Sequence, residues 1–281
     1  MQYITDAFSS DLMRRALFGG LLAATIAALV GTWVVIRGLA FFGDALAHGV
    51  LPGIALAVLW GMNVTLGAAV SALVMVGGVN VIHRTTRLSD DTGIGLLFIG
   101  MLAAGVVIIS SNDTHAGDLT GLLFGDVLGV STGDLRLGVI ALAITVIVLA
   151  IGHRSFLALS LDRDKAAALG LRPGIAHVAM LALLALAVVA CFRVVGTLLV
   201  FGFLVAPPAT AILVVRGVER IMVAAVGFAW VSVIVGLTIS YHAGTAASAT
   251  VAAFSVGLFF AVLAVAEAVS FVRRRRLHPA A

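Results

Sequence analysis

Apolar segments of about 20 residues recur along almost the whole chain, and this feature restricts its possible folds more than any other. Each segment is long enough to cross the ~30 Å hydrocarbon layer of a bilayer as an α-helix. Hydrophobic residues make up 62% of the 281 residues and charged residues only 11%, whereas a soluble domain carries about 25% charged residues. The sequence therefore predicts an all-α, polytopic bundle of transmembrane helices.

Apolar length and charged interruptions predict about eight to nine spans. The predicted spans lie at 16–36, 39–60, 65–82, 93–110, 137–152, 176–192, 195–215, 221–240 and 248–271. Two of these spans are separated by very little around Arg193. The span at 39–60 contains polar residues, glycines and a proline, so eight full spans plus a re-entrant or short helix is an equal alternative.

Basic residues predict the orientation of the bundle, because loops rich in arginine and lysine stay in the cytoplasm. The strongest signal is Arg273–Arg276, which directly follows the last span. We therefore divide the chain into an N-terminal interfacial segment (1–15), a transmembrane domain (16–272) and a basic cytoplasmic tail (273–281).

Most other arginines agree with this orientation if the chain has nine spans. Those at Arg37, 154–172 and 216–220 then lie inside, whereas Arg14 and Arg15 lie outside. An interfacial N-terminal helix or one miscounted span would explain that exception. The net charge of +4 follows from topology and does not indicate a nucleic-acid partner, because the arginines occupy short breaks between spans.

Asp44 and His48 are the most informative polar residues inside a span. Their i, i+4 spacing places a carboxylate and an imidazole on one face of a helix. An ionised aspartate at membrane depth costs about 2.5–3.5 kcal/mol, so it should face a polar cavity or a partner. One oxygen and one imidazole donor suit Mn²⁺, Fe²⁺ or Zn²⁺. The alternative is that the two side chains only fix helix packing through hydrogen bonds.

The most charged stretch before the C-terminal tail extends from Leu161 to Pro173. Its pattern predicts a short helix that ends at glycine and proline. On the predicted cytoplasmic side this segment could dock a partner or be an ordinary solvated loop. Its candidate docking residues are Asp162, Arg163, Asp164, Lys165, Ala168, Leu169 and Gly170.

Polar residues also lie on the opposite, extracytoplasmic side. Asp113, His115 and Asp118 could collect cations or contact an extracytoplasmic partner, but the sequence favours an ordinary solvated loop. His242 lies where a span ends, a common place for an interfacial histidine.

Helix-breaking residues mark candidate gates within the spans. Pro207 and Pro208 free backbone carbonyls in an apolar span, which is tolerated where helices line a cavity or move. Gly196 lies near the start of the same predicted span, and Gly43 and Pro52 interrupt the span at 39–60. A static kink is the alternative explanation.

The chain has no nucleotide-binding loop of its own. A Walker A loop needs a Gly-Lys-Ser/Thr sequence, and the sole lysine, Lys165, stands between Asp164 and Ala166. Any ATPase that drives this protein must therefore be a separate polypeptide, and we predict that the chain itself is not an enzyme.

Several segments together resemble the permease subunits of ABC transporters for zinc, manganese or iron, the metal-type permease family. The similarity begins with the Gly-Asp-Ala-x-x-His-x-x-x-Pro-Gly pattern in Arg37–Gly53. It extends in the family's order over about residues 16–265. The further matching segments are Ser89–Gly95, Leu123–Gly129, Ala166–Leu171 and Val195–Ala211. The chain departs from the pattern at Pro207–Pro208 and in the 241–244 stretch.

The resemblance implies a type II ABC importer-like permease fold in a bacterial cell membrane. It implies a pair of permease copies, most simply a homodimer, two cytoplasmic ATPase subunits and an extracytoplasmic metal-binding protein. Asp44 and His48 match the family's metal pathway, and Asp162–Leu171 matches its ATPase-coupling segment. A divalent Mn, Zn or Fe ion is then the transported substrate, without a permanently bound cofactor.

Two other classes of function serve as alternatives. An ion-coupled secondary carrier would need no ATPase, and inverted repeats, which we do not find, would favour it. An intramembrane metalloprotease would need a His-Glu-x-x-His helix or an equivalent ligand set, and the histidines here form no such pair.

Overall fold

The computed structural model describes residues 11–86, 88–110, 130–161 and 171–277. Within these ranges the regular structure is entirely helical. The helices are α1 (Asp11–Ile36), α2 (Ala40–Gly49), α3 (Leu51–Leu59), α4 (Val64–Thr85), α5 (Asp90–Ser110), α6 (Thr132–Leu161), α7 (Pro173–Val214), α8 (Val218–Ala243) and α9 (Ala247–Leu277).

The number of apolar helices confirms the predicted multi-span bundle. In the described ranges, 8 stretches are long and apolar enough to cross a membrane, and Leu199–Val214 forms a shorter apolar helix. The helices α2 and α3 together form one of these stretches, Ala40–Leu59. The predicted alternative of eight spans plus one short helix thus describes the chain well, but the short helix follows Gly196 and is not the 39–60 segment.

The helices α1 and α7 form the centre of the bundle. Most of α1 and of the first half of α7 is buried, whereas only 17% of the apolar window is buried in α5 and in α9. The helices α6, α8 and α9 surround α1 and α7, while α2 to α5 form a second group that joins α7 through α2 and α4. The outer helices therefore offer apolar surfaces to the lipid or to other proteins.

The helix α7 reverses direction at Gly196. Before this residue, Cys191 lies 3.7 Å from the Ala23 carbonyl, and Val194 packs on Gly19. After it, Leu204 packs on Gly31. Along the first arm of α7 the contacts approach the start of α1, and along the second arm they return towards the end of α1. The two arms of α7 therefore run in opposite directions.

The backbone of Gly196 explains why the reversal can occur there. Its φ of 74° and ψ of 164° fall in a region that only glycine adopts without strain. The predicted break at Gly196 is therefore present in the backbone. The second arm of α7 crosses the bundle once more. The first and the last described residues therefore lie at opposite ends of the bundle.

A backbone contact joins α1 to the second arm of α7. A Cβ atom at Gly31 would collide with the carbonyl oxygen of Leu204, so only glycine permits this approach. Pro208 has no N–H to donate to that carbonyl, which lies four residues earlier in the helix. The carbonyl that proline frees thus lies directly against Gly31.

The helix boundaries differ from the predicted segment boundaries at both ends. The helix α1 begins at Asp11, within the segment predicted as interfacial, and α9 continues through the arginine run to Leu277. Residues 1–10 and 278–281 lie outside the described residues.

We expect Gly31→Ala to lower the melting temperature of the purified protein. The added methyl group would overlap the Leu204 carbonyl, and overpacking of this kind costs about 1–3 kcal/mol. Gly227→Ala is the matched control, since a Cβ there meets no described atom within 4 Å. Equal melting temperatures for the two variants would contradict the close helix contact.

Gly196→Ala tests the reversal in α7. An alanine in this backbone region costs about 1–3 kcal/mol, so the variant should also melt earlier than the parent protein. Gly100→Ala in α5 is the control, because that glycine is helical and its position is open. A Gly196→Ala protein as stable as the control would show that the positive φ is not required.

Candidate functional site

Asp44 and His48 lie on one face of α2, as their spacing predicts. His48 Nε2 is 3.7 Å from Asp44 Oδ1, and the two side chains are 32% and 36% exposed, respectively. This distance exceeds that of a hydrogen bond. Within the described residues neither side chain has a hydrogen-bond partner, so mutual hydrogen bonding does not explain the pair.

The separation of the two donor atoms fits a shared divalent cation. Nitrogen and oxygen donors lie about 2.1 Å from a bound Zn²⁺, so two donors of one such ion are at most about 4.2 Å apart. The observed 3.7 Å lies within that limit. The pair can therefore hold one ion without a change in the backbone.

A single chain does not offer a complete metal cage in its described part. No group of three or more His, Cys, Asp and Glu side chains is found among those residues. Structural metal sites usually have four protein ligands. The pair by itself therefore offers only two of the ligands that a metal ion would need.

Two other helices pack beside this part of α2. On one side the ring of Phe98 in α5 lies 5.8 Å from the His48 ring and 6.1 Å from Phe41. On the other side the Leu204 side chain of α7 packs 3.5 Å from the Cβ position of Gly43. The predicted gate residue Gly43 thus contacts the second arm of α7 directly beside Asp44.

A helix break follows His48 directly. The helix α2 ends at Gly49 and α3 begins at Leu51, with Pro52 in its first turn. Pro52 cannot donate to the His48 carbonyl, which interrupts the helical hydrogen bonds at this point. Ser71 Oγ of α4 donates to the Gly49 carbonyl at 2.8 Å and so satisfies a backbone group at the break.

The helix α4 packs along two helical turns against the break between α2 and α3. Gly53 and Gly67 approach so closely that a Cβ on either would collide with the carbonyl oxygen of the other. The side chain of Met75 also packs so closely on Gly49 that a Cβ atom there would collide with its sulfur. The end of α2, and with it His48, is therefore fixed by packing against α4.

A basic cluster lies at the end of the bundle where α2 begins. His177 Nδ1 is 3.5 Å from an Arg37 guanidinium nitrogen, and the ring of His83 lies 5.4 Å from the His177 ring. Sequence reasoning did not single out this cluster, because the three residues are far apart in the chain. The one sequence feature that could have indicated this cluster is that a histidine lies near the end of each of two different spans.

The structure describes only some of the remaining predicted residues. Pro207 and Pro208 lie inside the second arm of α7, which keeps helical geometry around them. His242 lies near the end of α8, where its Nδ1 is 2.8 Å from the Thr238 carbonyl. Asp113, His115, Asp118 and the coupling residues Asp162, Arg163, Asp164, Lys165, Ala168, Leu169 and Gly170 lie outside the described residues.

Ser71→Ala tests the support of the helix break. Loss of the hydroxyl leaves the buried Gly49 carbonyl unsatisfied, which costs about 1–3 kcal/mol, so the melting temperature should fall. Ser110→Ala is the control, since its hydroxyl bonds an exposed carbonyl of its own helix. If the two variants melt at the same temperature, the Ser71 bond does not stabilise the break.

Comparison with known proteins identifies the family. Residues 9–266 match the ABC 3 transport family. The manganese transport system membrane protein MntC of Listeria monocytogenes is 31% identical over 260 residues, which cover 92% of each chain. The chelated iron transport system membrane protein YfeD of Yersinia pestis is 30% identical over 276 residues, 98% of this chain and 92% of the relative.

A solved structure agrees with the fold over nearly the same length. PsaBC from Streptococcus pneumoniae in complex with Fab aligns with a TM-score of 0.82 and 27% identity, and the alignment covers 93% of this chain and 94% of that chain. With its helical bundle and a family match over residues 9–266, this chain belongs to the ABC 3 transport family of membrane proteins.

Proposed function

We propose that this chain is the membrane-spanning permease subunit of an ABC importer for a divalent transition metal ion, manganese or iron. The main observation behind this proposal is the Asp44–His48 pair. Its donor atoms lie 3.7 Å apart on a partly exposed helix face inside the bundle. Family membership and relatives named for manganese and iron transport support the same function. The proposal names manganese and iron because the quoted relatives are named for these metals, and the same two donor atoms also suit Zn²⁺.

Incomplete coordination suits transport better than storage. An ion must bind well enough to enter a pathway and weakly enough to leave it. Two ligands from one chain, completed by water or by a second copy of the permease, meet both conditions. We therefore propose a homodimer in which the partly exposed faces of α2 converge on the pathway.

The energy for transport must come from another polypeptide, since the chain has no Walker A loop. We propose that a cytoplasmic dimer of ATP-binding subunits docks on segment 162–170, which connects α6 with α7. Supporting this, α6 and α7 meet at the same end of the bundle as Arg37 and His177. An ion-coupled carrier without an ATPase has no comparable support.

At the opposite end we propose that an extracytoplasmic metal-binding protein delivers the ion. Segment 111–129 connects α5 with α6 there and contains Asp113, His115 and Asp118, and the exposed His242 lies at the same end. Acidic and imidazole side chains on this side would raise the local concentration of cations.

The second arm of α7 is the proposed moving wall of the pathway. It begins after the reversal at Gly196, contains Pro207 and Pro208, and contacts Gly43 beside Asp44 through Leu204. A small shift of this arm would change access to the pair, because Leu204 also packs against α1 at Gly31. Of the predicted gate residues, Gly43 contacts this arm through Leu204, and Pro207 and Pro208 belong to the arm itself.

Uptake measurements with Asp44→Asn and His48→Gln test the proposal. Each change removes one ligand, and even the loss of a supporting group around a metal ligand costs about 10–100-fold. We therefore expect manganese or iron uptake to fall at least about tenfold in cells that express the whole transporter. Membrane abundance is measured in parallel.

Asp11→Asn and Glu267→Gln are the matched controls, because both residues are exposed and lie on other helices. Their uptake should equal that of the parent protein. Unchanged uptake for Asp44→Asn or His48→Gln at normal abundance would refute the pathway assignment.

A further inference from the structure

A cavity of about 600 Å³ lies between α1, α6 and α8, apart from the Asp44–His48 site. Its inner part is aliphatic and is formed by Leu29, Leu149 and Met222. Its other end is polar and is formed by His153, Arg154 and Glu219. The cavity is therefore amphipathic, with the polar groups collected at one end.

The cavity opens to the outside of the bundle, on a side that we take to face the bilayer. Ile151 and Val223 line its edge and are 81% and 75% exposed. Along α6 the lining extends from Val146 to Arg154, which is about 12 Å of helix. An apolar crevice of this length, open on the lipid side of a membrane protein, has the dimensions to accept part of an acyl chain.

The polar end lies at the start of α8, where we place the lipid headgroups of the bilayer. Glu219 is the second residue of α8 and its side chain is 86% exposed, and its Oε1 lies 4.0 Å from His153 Nε2. Arg154 is exposed and long enough to extend its guanidinium towards the membrane interface. This end of the bundle carries Arg37, Arg216 and Arg220, so the leaflet concerned is the predicted cytoplasmic one.

The cavity mouth thus presents one permanent cation and one anion to the same headgroup. A guanidinium forms strong, often bidentate bonds with phosphate. The Glu219 carboxylate, which lines the same cavity, would repel a purely anionic headgroup but would accept hydrogen bonds from a primary ammonium. Basic pockets between helices on the cytoplasmic side are known to bind phospholipid headgroups.

We propose that this cavity binds phosphatidylethanolamine from the cytoplasmic leaflet. One acyl chain lies in the aliphatic crevice, the phosphate contacts Arg154, and the ammonium group donates to Glu219. Phosphatidylcholine matches less well because its quaternary ammonium has no N–H to donate, and phosphatidylglycerol matches less well because it has no cation for Glu219.

Native mass spectrometry of the full-length, delipidated permease tests this proposal. Phosphatidylethanolamine, phosphatidylcholine and phosphatidylglycerol with identical acyl chains are added separately, and the fraction of lipid-bound protein is measured. We expect phosphatidylethanolamine to bind about tenfold more tightly than either competitor, which is the effect of one charge-assisted hydrogen bond. Equal binding of the three lipids, or tighter binding of phosphatidylglycerol, would overturn the headgroup assignment.

Variants locate the bound lipid. Arg154→Gln and Glu219→Gln should each remove the preference for phosphatidylethanolamine, whereas Arg136→Gln on the same helix and Glu267→Gln on α9 should retain it. Ala150→Phe fills the crevice from an exposed position and should reduce binding of all three lipids at this site. Retention of the preference in Arg154→Gln and Glu219→Gln, or unchanged binding in Ala150→Phe, would refute the location.

Discussion

The contact between the two arms of α7 and the central helix α1 organises the rest of the structure. In a bilayer, helices gain little from hydrophobic burial against one another, so close packing at small residues carries much of their association. Gly31 permits the Leu204 carbonyl to approach α1, and Gly196 permits the chain to return along it. Both glycines are therefore needed for the two arms of α7 to pack against the same central helix.

The polar pair of α2 depends on this arrangement. Leu204 contacts Gly31 with its backbone and approaches Gly43 with its side chain, so one residue connects the central packing to the candidate metal site. On the other side α4 fixes the break after His48 through Ser71 and Gly67. Asp44 and His48 thus lie between a tightly held break and an arm that starts at a reversal, a suitable position for a pathway with changing access.

Much of the fold could be predicted from the sequence because bilayer thickness and the cost of exposed backbone polar groups restrict a span to one structural solution. The helical class, the approximate number of spans and the pairing of Asp44 with His48 on one face follow from local rules of length and period. The break in the 39–60 segment was also visible, since Pro52 cannot complete the helical bonds there. Segments 111–129 and 162–170 contain predicted residues whose roles stay predictions.

The sequence by itself determined that this is a membrane protein with a carboxylate–imidazole pair in a predicted span, and that the given residues contain no Walker A pattern. Only the tertiary structure decided that the short helix follows Gly196, that Phe98 lies beside His48 and Leu204 beside Gly43, and that Arg37, His83 and His177 meet at one end. It also decided that His153, Arg154 and Glu219 share one cavity. The physical reason is that span length and helical period depend only on residues within one helix and can be recognised in the sequence. The packing of glycines and side chains, in contrast, brings together residues more than 100 positions apart.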